Sequence, residues 1–221
     1  MKILSFNNAD ELASRTEVLM REFCEFKPTP LRGFFPTGRS AEALYSKLRS
    51  DPYWRHRFNG IQIDEFAQPE QLFLSQLRNQ LILPLGLEDQ FETIDPMWTE
   101  AQMKAHIQNV LSHPIDFALL GLGPNGHIGF HEPGRGDKTF LGGQVELTDQ
   151  SFKRVQGATT KIANTFGAGA FLKASKIWLI ATGDEKLMVF KKFLKSEPTS
   201  DIPATLLKDH PDFTLLTTFQ E

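Results

Sequence analysis

Apolar positions recur along this chain with two periods that take turns. Leu12, Thr16, Leu19, Met20 and Phe23 return at helical spacing, which predicts a helix reaching about Phe26. The preceding Asn8-Ala9-Asp10-Glu11 reads as a capping box, with Asn8 as N-cap and Glu11 three residues on. Pro28 and Pro30 end that helix because proline cannot continue it. Residues 31–35 are a short strand, 36–40 a turn, and Ala41-Glu42-Ala43-Leu44-Tyr45 opens a second helix with Ser40 as N-cap. Residues 51–58 form a loop. Residues 60–63 are a strand ending in Asp64-Glu65, and a helix from Pro69 runs through Leu72, Phe73, Leu77 and Leu81 until Pro84-Leu85-Gly86 closes it.

The alternation continues to the end of the chain. Residues 91–94 are a short strand, 99–111 a helix, and 115–120 an unbroken apolar run of buried-strand type. Residues 144–147 read as a strand, 148–155 as a weak helix, and Gly167-Ala168-Gly169 as a turn before the short helix of Ala170-Phe171-Leu172. Residues 176–181 are a second buried strand, 187–194 a helix and 213–219 the last strand. Strands alternating with helices predict an α/β fold, a Rossmann-like three-layer sandwich with a largely parallel central sheet. Each strand–turn–helix junction then delivers residues to one edge of the sheet.

Composition narrows this picture. At 221 residues and 40% hydrophobic, one domain spanning 1–221 with a sizeable core is expected. A net charge of −3, with acids and bases mixed along the chain, gives no footprint for nucleic acid or membrane. The single cysteine, Cys24, excludes an internal disulfide framework and fits a reducing compartment. It falls in the first amphipathic pattern, so a buried inert thiol is expected. No run is long enough to span a bilayer, and the polar Asn7-Asn8-Ala9-Asp10 after Met1 is unlike a signal peptide. A cytoplasmic protein is expected.

Chemistry concentrates after the central strand. In Gly121-Leu122-Gly123-Pro124-Asn125-Gly126-His127-Ile128-Gly129-Phe130-His131-Glu132-Pro133-Gly134, glycines allow close backbone approach to a ligand. Two imidazoles and a carboxylate supply acid/base groups near neutral pH. Gly121, Gly123 and Gly126 spell a dinucleotide-binding pattern, with Glu146 about twenty residues on. That pattern needs a helix at its third glycine, and Gly129, Pro133 and Gly134 forbid one. His127 and His131, four apart with Glu132 adjacent, have metal-ligand spacing only on a helix, and no metal is expected. Acid/base catalysis on a small molecule is left, with His127 carrying a proton and Glu132 orienting it, beside the plainer reading of a structural histidine. The turn Pro36-Thr37-Gly38-Arg39-Ser40 offers helix N-terminal amides, hydroxyls and a charge to a phosphate; on these residues alone an ordinary capped turn is the commoner arrangement. Asp64-Glu65 sit where α/β sheets bind ligands, or are a solvated strand end.

The segment from Gly121 to Pro133, with its glycines, Asn125, the Gly126-His127 pair and the closing Glu132-Pro133, resembles the signature of the glucosamine-6-phosphate deaminase (isomerase) family. Related 6-phosphogluconolactonases share the glycines and the His but not the Glu-Pro. Pro36-Thr37-Gly38, Ile63-Asp64-Glu65-Phe66 and Thr182-Gly183-Asp184-Glu185-Lys186 match in order, so the resemblance covers nearly the whole chain. The ending looks most like the galactosamine-6-phosphate branch. The resemblance implies ring opening of an amino-sugar 6-phosphate, proton transfer from C2 to C1 and release of ammonia, with no cofactor. It implies Asp64 as the C2 base, His127 for ring opening and Glu132 as its support, with Asn125 orienting the imidazole. Thr37, Gly38, Arg39 and Ser40 would hold the phosphate with Lys186 as counter-charge, and Gly123 and Gly126 would line the substrate site. A phosphogluconolactonase-type hydrolase and a non-catalytic sugar-phosphate sensor are the alternatives.

The chain departs from the family pattern in several places. Asn125 stands where many members carry Asp, His131 replaces an Asn, and Arg39-Ser40-Ala41 replaces Gly-Thr-Pro or Ala-Thr-Pro. The segment after Glu65 is short, and Arg154 is the nearest counterpart of an arginine that some members use on the phosphate. The C-terminus is shorter than in allosteric hexameric members, so no allosteric activation is expected. A small-molecule sugar phosphate is the expected partner, and a monomer or small homo-oligomer the expected state.

Overall fold

A computed structural model describes residues 1–27 and 30–220; Pro28, one of the two expected helix-ending prolines, lies outside them. The chain opens with β1 (Lys2–Ser5), α1 (Ala9–Glu25), β2 (Leu31–Phe35), α2 (Arg39–Ser50), β3 (Phe58–Gln62) and β4 (Asp64–Phe66). It continues through α3 (Leu72–Leu77), α4 (Leu83–Leu85), β5 (Phe91–Glu92), α5 (Glu100–Leu111) and β6 (Ile115–Gly121). It ends with β7 (Gly142–Glu146), α6 (Asp149–Phe152), β8 (Ile162–Phe166), α7 (Ala168–Phe171), β9 (Ala174–Ala181), α8 (Leu187–Lys195) and β10 (Phe213–Thr217).

Seven strands form one sheet in the order β1-β10-β9-β6-β2-β3-β5, and every pairing in it is parallel. The apolar runs of β6 and β9 lie at and beside its centre, as expected of strands covered on both faces. Side chains alternate across the sheet. Phe34, Leu120, Ile177 and Leu179 join a core on the α5, α7 and α8 face, while Phe35, Leu119, Trp178 and Ile180 join one on the α1 and α2 face. Helices on both faces of a parallel sheet make the three-layer sandwich that the alternation predicts. Cys24 is buried in the second core, and burial pushes its thiol above the ordinary range.

Local signals are mostly obeyed. Asn8 Oδ1 accepts from Glu11 N at 2.9 Å, a cap worth about 1 kcal/mol. Glu11 Oε2 reaches back one residue further than expected, to Asn7 N. Thr99 caps α5 with a complete box through Gln102. Gly86 (φ 67°) closes α4 in the left-handed conformation.

Beyond shifts in where elements end, three expectations fail, each for a tertiary reason. The strand expected to end in Asp64-Glu65 stops at Gln62, and Asp64 starts β4 in a second, antiparallel sheet of order β4-β8-β7. The helix expected from Pro69 begins at Leu72, because the intervening residues cross over from that small sheet. Ser40 is not the cap of α2: Gly38, at φ 91°, occupies that position without a side-chain bond, and the Ser40 hydroxyl is engaged elsewhere. Strands β1 and β8 had no clear signal. In β8 the fully buried Asn164 and Thr165 break the apolar pattern. Thr165 Oγ1 is satisfied by accepting from Phe130 N at 3.0 Å and donating to Phe166 O at 2.9 Å.

Candidate functional site

The carboxyl ends of β2, β6 and β9 and the start of β4 surround a cleft of about 710 Å3, the usual ligand position in an open α/β sheet. Its two ends differ in chemistry.

At one end β2 turns through Pro36-Thr37-Gly38 into α2. The positive φ of Gly38 turns the chain sharply, so the first amides of α2 face the cleft with the positive end of its dipole. Lys186 approaches from the turn after β9, where it is almost fully buried. Its Nζ donates to Ser40 Oγ at 2.6 Å. Burial pulls the Lys186 ammonium down to about 8; Glu185 opposes that shift, while Arg39 and Arg154 add to it. Arg39 is exposed and bonds Glu185 Oε1 at 2.9 Å. Thr37, Gly38, Arg39, Ser40 and Lys186 are therefore all on this wall, and Arg154 lines it too. Three cations and a helix N-terminus face one another with a single nearby carboxylate.

At the other end stand Asp64 and His127. Asp64 lines the cleft while only 6% exposed. Burial, then the neighbouring Glu65 charge, pushes its carboxyl well above the ordinary carboxylate range. The His127 ring packs against Gly123 so closely that a Cβ there would lie 2.3 Å from its Nε2. Gly123 is thus required by the imidazole, and its N–H donates to His127 O at 2.9 Å. Burial lowers the His127 ring to about 4, with Glu132 opposing and Lys186 and Arg154 reinforcing.

Glu132 is fully buried behind that ring. Its Oε2 accepts from Asn125 Nδ2 at 2.9 Å and Thr148 Oγ1 at 3.4 Å. Its Oε1 stands 3.8 Å from His127 Nδ1, and both atoms are buried without a hydrogen-bond partner. The resemblance implied that Asn125 orients the imidazole; instead it orients this carboxylate. Its Oδ1 accepts only the His127 backbone N–H, at 3.2 Å. One amide supplies the acceptor and the donor that the two neighbours need; an ionised Asp could not donate to Glu132.

Two residues leave the cleft. Gly126, at φ 92°, faces Ile202, whose Cγ2 would lie 2.7 Å from an added Cβ; it shapes the turn and does not line the cleft. His131 is fully buried, with Nδ1 accepting from Ala168 N at 3.1 Å and Nε2 3.4 Å from Gly136 O. It is a structural histidine that ties the loop to α7. Among the described residues no three His, Cys, Asp or Glu side chains are grouped to hold a metal ion, and no helix is long and apolar enough to cross a membrane. Sequence reasoning did not single out Ser151, which lines the cleft from α6. Only the weak helix over 148–155 pointed there.

A parallel α/β sandwich with a cationic helix N-terminus and a carboxylate–imidazole pair across one cleft has the build of a protein that binds and transforms a small anion. A family model described as glucosamine-6-phosphate isomerases/6-phosphogluconolactonase matches residues 65–216, and the chain belongs to that family. It is 29% identical over 238 residues to a glucosamine-6-phosphate deaminase of Bacillus cereus, covering 98% of this chain and 86% of the relative. The same identity and coverage hold for the deaminase of Bacillus thuringiensis. Among solved structures it superposes on a monomeric glucosamine-6-phosphate deaminase with a TM-score of 0.86 at 24% identity, covering 98% of this chain and 97% of that one. A 6-phosphogluconolactonase of Thermotoga maritima gives 0.78 at 19% identity, covering 97% and 96%. These superpositions establish the fold.

Proposed function

We propose that the protein is an amino-sugar-6-phosphate deaminase/isomerase, converting glucosamine 6-phosphate or its galactosamine epimer to the ketose 6-phosphate and ammonia. The observation that carries this reading is Asp64: a buried carboxylate that faces the same cleft as His127 and the cationic wall. The phosphate binds at the α2 N-terminus with Lys186, Ser40 and Arg39. Binding energy from a group remote from the reacting carbons can then be used for orientation.

The order of proton transfers follows from the charges. His127, held neutral, accepts the anomeric hydroxyl proton and returns it to the ring oxygen as the ring opens. Glu132, 3.8 Å from Nδ1, stabilises the transient imidazolium, and Asn125 keeps that carboxylate aimed. Ionised Asp64 takes the C2 proton of the open aldehyde while a proton of the C2 ammonium passes to O1, giving an enolamine, and Asp64 then delivers its proton to C1. The C2 iminium that results adds water and expels ammonia. A lactonase needs no base at C2, so Asp64 separates the two chemistries of the family.

The test is coupled ammonia detection with glucosamine 6-phosphate and galactosamine 6-phosphate side by side, with Asp64→Asn as control. Release that the variant abolishes supports the reading, and the rate ratio identifies the preferred epimer. Hydrolysis of 6-phosphogluconolactone by both proteins without ammonia release would replace it with the hydrolase. Saturable binding of the sugar phosphates with neither reaction would replace it with a sensor.

A further inference from the structure

Glu65 follows Asp64 on β4, so the two side chains point to opposite faces of the strand. Asp64 faces the cleft. Glu65 is fully buried on the other side and collects four donors. Its carboxylate accepts from Phe66 N at 3.0 Å, Phe73 N at 3.1 Å, Leu74 N at 2.9 Å and Gln62 Nε2 at 3.2 Å. Phe73 and Leu74 lie in the first turn of α3, whose own N-cap residue, Gln71, makes no side-chain bond. Glu65 therefore caps α3 from a neighbouring strand.

The same network brackets Asp64. Gln62 Nε2 also donates to Asp64 O at 2.9 Å, and Gln62 Oε1 accepts from Ile94 N at 3.0 Å. The backbone after Asp64 is thus held by side chains, and that before it by Phe166 N donating to Ile63 O at 2.9 Å, at the point where the chain leaves one sheet for the other. Leu72, Phe73 and Gln76 of α3 in turn form part of the cleft wall. Phe73 is seated there by ring contacts to Phe66 and Phe130, at 5.4 Å each.

We propose that Glu65 is a positioning residue for Asp64: by tying β4 to the first turn of α3, one buried carboxylate sets both the placement of the base and the wall that covers it. The inference rests on the reading of Asp64 as the C2 base. A carboxylate is suited to the task because it accepts from all four donors, whereas the amide of Gln would present its NH2 to some of them. Its charge has a second consequence. After burial, Glu65 is the remaining cause that holds the proton on Asp64; burial raises the Glu65 carboxyl as well, and its four donors oppose that rise. The other titratable groups lining the cleft, Arg39, His127, Arg154, Glu185 and Lys186, are unchanged by substitution at Glu65.

The test uses the full chain with Glu65→Gln and Glu65→Asp, read by amide hydrogen exchange at Phe73 and Leu74 and by ammonia release against pH. In Glu65→Gln both amides should exchange about tenfold faster and kcat/KM should fall about tenfold, the scale of one lost hydrogen bond to a charged group. The acid limb should also move to lower pH, because the neighbouring charge is gone. Glu65→Asp keeps the charge and loses reach, so exchange should quicken while the limb stays in place. Exchange and kcat/KM within about twofold of wild type in Glu65→Gln, the scatter of a neutral substitution, would overturn the inference. So would lost activity with an unmoved acid limb, which marks a structural role only. A wild type that releases no ammonia would overturn the reading of Asp64 itself, while exchange still decides whether Glu65 holds α3.

Discussion

The two ends of the cleft are built by different means. The cationic end is made mainly at junctions of the large sheet: β2 runs into α2, and β9 runs into the turn that carries Lys186, with Arg154 added from the segment after α6. Each junction is a short run of sequence, and its geometry is set by the strand before it and the helix after it. The proton end depends on how the two sheets meet. Asp64 is placed by the pairing of β4 with β8, where it lies opposite Thr165. His127 is placed by Gly123 beneath it and Glu132 behind it. A phosphate can be held by local amides and charges, whereas a base and an imidazole must be set against each other across two sheets.

If the ends are separable, substitutions should divide cleanly between them. The largest effect is expected of Asp64→Asn, which should lower kcat for ammonia release about 10²–10⁴-fold, the range of a lost general base, with sugar-phosphate affinity retained. Lys186→Met should act at the other end. It should raise KM about 10–100-fold, corresponding to one charged hydrogen bond, and leave kcat within a few-fold in steady-state assays. Titration sharpens the contrast. As the proposed base Asp64 must be ionised, and burial raises its carboxyl well above the ordinary range, so the acid limb of kcat/KM should have its midpoint above the ordinary carboxylate value. On the proposed reading Lys186 binds phosphate when protonated, and burial lowers its ammonium to about 8, so KM should rise above about pH 8. A pH–rate profile reads both. The smallest effect on turnover belongs to His131→Leu. It leaves the Ala168 N–H without its acceptor, and denaturant melting should show a loss of about 1–3 kcal/mol with KM near wild type.

This division also explains what the sequence disclosed. The strand–turn–helix at 31–45 and the strand before Lys186 were readable from local periodicity, and with them the segments that form the cationic end. Even there Ser40 was misjudged as a helix cap, because its bond to Lys186 joins residues 146 positions apart. At the proton end, Asp64 and Glu65 read as one acidic pair. Strand alternation across the small sheet gives one to the cleft and the other to the first turn of α3. His127 and His131 read as a matched pair four residues apart. The reversal of the loop leaves the first with an unpartnered Nδ1 facing Glu132 and buries the second with both nitrogens engaged. Nothing in β8 announced a strand, yet without it Asp64 would have no sheet to join. Periodicity reveals elements that bury a regular face; it does not reveal which sheet a strand joins.

The most direct test of the two-ended cleft is calorimetric titration of glucosamine 6-phosphate into Asp64→Asn and Lys186→Met, beside ammonia release by the same proteins. We expect Asp64→Asn to bind with wild-type affinity and release ammonia at least about a hundredfold more slowly, and Lys186→Met to bind weakly yet turn over at saturation. Joint loss of binding and turnover in Asp64→Asn, or wild-type affinity in Lys186→Met, would contradict the division on which the account rests.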